Sequence, residues 1–214
     1  MKNARITIIL LLTLFTQAYA AVPIDGWYSA LFGGYAYLPN NLSTFNSELY
    51  FSNSSYNSGY NVGGRFGYKS NPMRYEGELT YINADAAQFK VNNIRQTNIT
   101  GFNSTTALMA NVYYDFPELI STIEPFIGLG MGFAWVDTRL INQTAFNYIK
   151  FSGSDIVFAY QATAGLTYNF SEKFSLDVAY RYLGTSNVEY LGDNFQANLI
   201  TAGVTYRFDD SRYK

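Results

Sequence analysis

Glu76 and Glu78 stand two residues apart in the run Arg74-Tyr75-Glu76-Gly77-Glu78-Leu79-Thr80-Tyr81. On a β-strand that spacing puts both carboxylates on one face. Two carboxylates on one face can act as general acid and base when their surroundings split their proton affinities. They can equally act as counter-ions for arginines on neighbouring strands. The rest of the sequence favours the second reading. The chain has no His and no Cys, which removes Ser-His and Asp-His mechanisms, thiol chemistry, disulfides and the commonest metal ligands. Asp85, Asp137 and Asp155 lie near the bases of long polar stretches, where solvated carboxylates are expected rather than a metal site. No catalytic residue, cofactor or metal ligand is therefore expected, and the protein is read as a non-enzyme.

Arg65, Asp177 and Arg181 carry the same signature as the two glutamates, since each sits at an inward position of an alternating stretch. The expected interior charged network is Arg65, Glu76, Glu78, Asp177 and Arg181. The tetrapeptide Ser70-Asn71-Pro72-Met73 predicts a tight turn, with a register that sets Arg65 directly opposite Glu78. Cross-strand neighbours on one face stand about 4.5–5.5 Å apart at Cβ. An Arg65–Glu78 ion pair is the resulting expectation, shared with Glu76, Asp177 or Arg181.

The elements that would hold this network are eight alternating segments: 27–38, 59–69, 74–83, 105–116, 125–137, 156–170, 174–183 and 196–208. In 196–208, Ile200, Ala202, Val204, Tyr206 and Phe208 point one way, while Leu199, Thr201, Gly203, Thr205 and Arg207 point the other. In 125–137 the outward set is Ile127, Leu129, Met131, Phe133 and Trp135, and the inward set is Gly128, Gly130, Gly132 and Ala134. That glycine row leaves room for bulkier neighbours. The first segment alternates least cleanly, because Phe32 falls on the inward face. Connections alternate between long, Asn/Ser-rich stretches and short turns. This pattern predicts an all-β, eight-stranded antiparallel up-and-down transmembrane β-barrel with four long extracellular loops and three short periplasmic turns. A water-soluble barrel would have to bury the inward charges in an apolar core.

Lys2 and Arg5, the apolar stretch Ile6–Phe15 and the Ala18-Tyr19-Ala20 site form a secretory signal peptide, residues 1–20, cleaved after Ala20. The apolar stretch is too short to span a bilayer as a helix. Residues 21–214 then form a single barrel domain, and loss of two cations moves the formal net charge from −2 to −4. Charged residues make up 14%, below the roughly 25% of ordinary soluble domains, and aromatics make up 18%. Few charges and many Tyr and Phe suit a wall with aromatic belts at two interfaces. The mild acidity and lack of a basic run argue against a nucleic-acid partner.

The segment Thr201-Ala202-Gly203-Val204-Thr205-Tyr206-Arg207-Phe208 resembles the C-terminal assembly signal of bacterial outer-membrane barrels, with Thr201, Gly203, Tyr206 and Phe208 at its defining positions. Asn61–Tyr68 and Thr163–Phe170 repeat its ending. Phe158–Gly165, Tyr180–Gly184 and Pro125–Gly130 resemble the later strands of the surface-antigen and opacity-type porin family, similar in shape to the outer-membrane protein A transmembrane domain. The resemblance implies residence in the bacterial outer membrane, contact with its lipid and delivery by the barrel assembly machinery. It further implies adhesion or host contact, with host surface molecules bound through extracellular loops. A small porin-like diffusion channel and a hydrophobic-ligand carrier are the alternatives. The apolar and aromatic residues Phe146, Tyr148, Ile149 and Phe151 of the third loop suit the last of these.

Overall fold

The computed structural model describes residues 25–39, 43–46, 49–56, 58–91, 94–95, 99–117, 123–144, 147–189 and 193–208. Residues 1–20, expected to be a signal peptide, lie outside these residues. Among the described residues there are eleven strands: β1 Gly26–Tyr37, β2 Ser43–Asn46, β3 Leu49–Tyr56, β4 Gly59–Ser70, β5 Met73–Val91, β6 Ile94–Arg95, β7 Ile99–Asp115, β8 Ile123–Thr144, β9 Asn147–Asn169, β10 Phe174–Val188 and β11 Asp193–Arg207. Eight of them close a ring: β1 pairs with β4 and β11, and the ladder continues through β5, β7, β8, β9 and β10. All these pairings are antiparallel. Closure leaves no edge along the wall, which is what a sheet in lipid requires.

Alternation builds the wall. Leu31 is 74% exposed and Leu129 71%, and both point outward in a largely apolar surface. An outer surface of that kind is untenable in water but is the expected face toward acyl chains. Inward side chains alternate with it and are buried.

The short connections lie at one end, here the turn end. Ser70 faces Met73 across the predicted tight turn, and β10 follows β9 after Phe170–Lys173. At the other, the loop end, sheet replaces much of what the sequence suggests is loop. β5 runs to Val91, β7 starts at Ile99, and β8 and β9 pair up to Thr144 and Asn147. β2, β3 and β6 add a small sheet onto the upper part of β5. Outside the lipid band an outward residue need not be apolar, so hydrophobic alternation stops before the strand does. Phe146 and the side chains of Tyr148, Ile149 and Phe151 lie outside the described residues.

Candidate functional site

The lumen is the candidate site, because it gathers nearly all the buried charge. Lys69 near the end of β4 reaches carboxylates of β7 and β8, with Nζ 2.9 Å from Glu124 Oε2 and 3.1 Å from Asp115 Oδ2. Arg74 donates from Nε to Asp115 Oδ1 at 2.8 Å and from Nη1 to Glu76 Oε1 at 3.3 Å. Tyr28 donates its hydroxyl to the same glutamate oxygen at 2.5 Å. Arg65 donates to Asp177 Oδ2 at 2.6 Å and stands 3.9 Å from Glu76. Charges of alternating sign thus form one continuous chain across five strands. Arg207 completes the layer through hydrogen bonds to Asn169 Oδ1 and Ser175 Oγ. The cavity left among Lys69, Arg74, Glu124 and Arg207 measures about 10 Å³, room for roughly one water.

A second, smaller cluster lies toward mid-barrel. Arg181 is bonded to Glu78, and donates to Gln161 Oε1 at 2.9 Å. Thr80 donates to Glu78 at 2.7 Å, and Gln161 Nε2 donates to Asn111 Oδ1 at 2.6 Å. Above it the interior becomes apolar. Ala36, Ile82, Ala134, Leu183, Phe195 and Leu199 belong to one cluster with almost no exposure, which occupies most of the loop-end half beside the buried, hydrogen-bonded Asn103, Thr105 and Thr138. The uniformly polar inward face expected of a channel is therefore absent from that half.

The structure brings Arg65, Glu76, Glu78, Asp177 and Arg181 into the lumen but pairs them differently from the expected scheme. Arg65 does stand opposite Glu78 in the β4–β5 ladder. Its ion pair is nevertheless with Asp177, and Glu78 belongs to Arg181. The Arg65 guanidinium extends past Gly203 of β11 to Asp177 of β10 rather than onto its cross-strand neighbour. Gly203 provides the space: a Cβ there would lie 2.9 Å from both Arg65 Nη2 and Asp177 Oδ1. Each of the two glutamates is engaged by a cation, so they act as counter-ions rather than as an acid–base pair.

Lys69, Arg74, Asp115, Glu124 and Arg207 are members that sequence reasoning left out of the network. The signal was available in the parity of the strands. Lys69 shares a face with Arg65, Arg74 with Glu76, and Arg207 with Thr205. The glycine row on β8 is filled by its neighbours: a Cβ at Gly128 would collide with the Tyr113 ring, and one at Gly130 with Asn111 Oδ1.

On the outer face, the repeated aromatic endings meet at the turn-end rim. Phe170 stacks on Phe174 at 6.1 Å between centroids, Phe174 meets Tyr206 at 5.0 Å and Tyr206 meets Phe208 at 5.3 Å. Phe208 lies 6.3 Å from Phe66, which stacks on Trp27 at 5.1 Å. The backbone N–H of Phe208 donates to Trp27 O at 2.9 Å, the last bond of the closing seam. Thr201 and Gly203 face the lumen, so the terminal motif divides into an outer aromatic half and an inner packing half.

Among solved structures, the fold is similar to Neisserial surface protein A (TM-score 0.56, 17% identity, covering 86% of this chain and 98% of that one). It is also similar to OprG from Pseudomonas aeruginosa (0.53, 11%, 87% and 98%). A third match is Ail, the attachment invasion locus protein of Yersinia pestis (0.47, 19%, 86% and 100%). No curated protein matches the chain at a significant level. The family model described as outer membrane protein beta-barrel domain matches residues 6–208. With a closed eight-stranded wall, an apolar outer face and that match across all its strands, the chain belongs to the outer membrane protein beta-barrel family.

Proposed function

We propose that this protein is a closed outer-membrane scaffold that presents its loop-end segments at the cell surface for adhesion and contact with host molecules. The observation that carries this reading is the filled lumen: an ion network occupies the turn end and an apolar core the loop end. Eight strands enclose a space that side chains can just fill. Function then falls to the segments held above the membrane, as is common where a rigid wall supports loops. The continuation of β5, β8 and β9 past the outer apolar band supports it. So does the similarity in fold to a Neisserial protein named as a surface protein. The test has two parts. Purified protein in planar bilayers should carry no steady ion current, and cells displaying it should lose host-cell attachment when the β8–β9 hairpin is shortened beyond the Arg139–Ser152 pair. A steady current would replace this reading with the diffusion channel.

Carriage of a small apolar molecule is a second reading, favoured by the apolar loop-end half alone. Lipid or hydrocarbon retained through purification and identified by mass spectrometry would support it.

In the same reading, residues 1–20 are a signal peptide removed after Ala20, which the N-terminal sequence of the mature protein would test. Thr201, Gly203, Tyr206 and Phe208 act as the assembly signal read by the barrel assembly machinery. Deleting Phe208 should leave little heat-modifiable barrel in the outer membrane; undiminished levels would refute that role.

A further inference from the structure

Phe32 is the residue that breaks the alternation of β1, and it sits where the two charged clusters meet. It is 5% exposed and inward-facing. In the ladders it lies directly opposite two glycines, Gly63 on β4 and Gly203 on β11. Both positions are kept bare by what surrounds Phe32. A Cβ at Gly63 would lie 2.5 Å from the Phe32 ring, and one at Gly203 would meet the Arg65–Asp177 pair. The Arg65 guanidinium stands over the ring at 5.2 Å from its centroid and that of Arg181 at 4.9 Å. An aromatic face attracts a cation that has left water. The same device recurs nearer the turn end, where Arg74 stands over Tyr113 and Phe126 at 4.9 and 4.7 Å.

We propose that Phe32 is a partition. It holds Arg65 and Arg181 in separate ion-pair clusters, determines that Arg65 joins Asp177 rather than the nearer-strand Glu78, and seals the lumen to ions between the clusters. The geometry gives the reason. The two arginines share one ring, yet their carboxylates are different and neither pair is exchanged. With Phe32 and two opposing glycines in place, the route open to Arg65 runs over Gly203 to Asp177. Without the ring, Gly63 would leave an open space beside Arg65, and Glu78 would be the closest cross-strand carboxylate. Cation–π contact requires the aromatic face, so a bulky aliphatic side chain would fill the volume without fixing the guanidiniums.

This inference rests on the closed-lumen reading, and its test separates the two. Double-mutant cycles for Arg65 with Asp177 and for Arg65 with Glu78 would be measured from reversible urea unfolding in lipid bilayers, in the native background and with Phe32→Leu. In the native background, Arg65 and Asp177 should be non-additive by about fivefold or more in the unfolding constant, as groups in direct contact are, and Arg65 and Glu78 clearly less so. In Phe32→Leu the Arg65–Glu78 coupling should rise and that to Asp177 should fall, whereas Phe32→Tyr should keep the native pattern. Planar-bilayer current should rise for Phe32→Leu and Phe32→Ala. Coupling of Arg65 to Glu78 as strong as that to Asp177 in the native background would overturn the partition, as would Phe32→Leu leaving both couplings unchanged. Current through the unsubstituted protein would overturn the sealed lumen instead, leaving the coupling pattern to judge the partition.

Discussion

The two halves of the lumen are enclosed by the same eight strands and filled by opposite chemistry. The turn-end half and the mid-barrel layer hold five cations, the buried Arg65, Lys69, Arg181 and Arg207 and the half-buried Arg74, and five buried carboxylates, Glu76, Glu78, Asp115, Glu124 and Asp177, so the charge of the network is formally balanced. The loop-end half holds an apolar cluster rich in Ala, Val and Leu. The first half depends on partners: an ion stranded away from water is costly, and each must find its counter-charge. The second depends on volume, because an apolar interior loses stability through the empty space a smaller side chain leaves. Some donors in the charged half, Arg74 Nη2 and Arg207 Nη1 among them, have no protein partner, a need that water can meet at a polar site. A charged filling therefore tolerates imperfect shape, and an apolar one tolerates no misplaced charge.

Three substitutions would break or sharpen this contrast. The largest effect is expected from Glu78→Ala, which strands Arg181. The cost should be about 3–5 kcal/mol in urea unfolding, reduced by any water that reaches the lumen. Arg181→Ala added to it should cost less than the sum of the singles, and additive losses would show that the pair is not a unit. Next, Ile82→Ala in the apolar half should cost about 2–5 kcal/mol by opening a cavity, with no coupling to Glu78→Ala. A strong coupling would mean that the two halves are not independent. The smallest effect is expected from Arg139→Ala. Its Nε lies 3.4 Å from Asp137 Oδ1 but its side chain is 58% exposed, so the loss should stay below about 1 kcal/mol and shrink further in salt. A larger loss would contradict the view that burial, rather than pairing, gives the interior ions their weight.

Much of the wall was legible in the sequence because lipid and lumen impose a period of two on every strand. Ile127, Leu129, Met131, Phe133 and Trp135 all lie outward, as read, and Arg65 faces Glu78 in the register that the Ser70–Met73 turn dictates. The strand ends at the loop side were not legible. Past Trp135, β8 continues through Asp137 and Arg139, where an outward residue no longer meets lipid and the pattern carries no signal. The partner of Arg65 was not legible either. Register gives the neighbours of a Cβ, whereas a guanidinium is placed by the space available at the end of its stem, here over Gly203. Phe32 looked like a flaw in the alternation and proves to be buried beneath two arginines. Its meaning depends on β4, β10 and β11 coming together, which no local window contains.

The unequal lengths of the ladders also set a timetable. β8 and β9 are paired at every position from Ile123–Tyr168 to Thr144–Asn147, and the link between them spans only residues 145–146. The β1–β11 seam joins opposite ends of the chain, from Tyr28–Arg207 to Tyr37–Asn198. Contacts that close short loops form with little loss of chain entropy, and those that close long ones wait. The β8–β9 hairpin is thus the natural nucleus and the seam the final event. Destabilising the hairpin should slow folding into a bilayer, while removing the Phe208–Phe66 contact across the seam should mainly hasten unfolding.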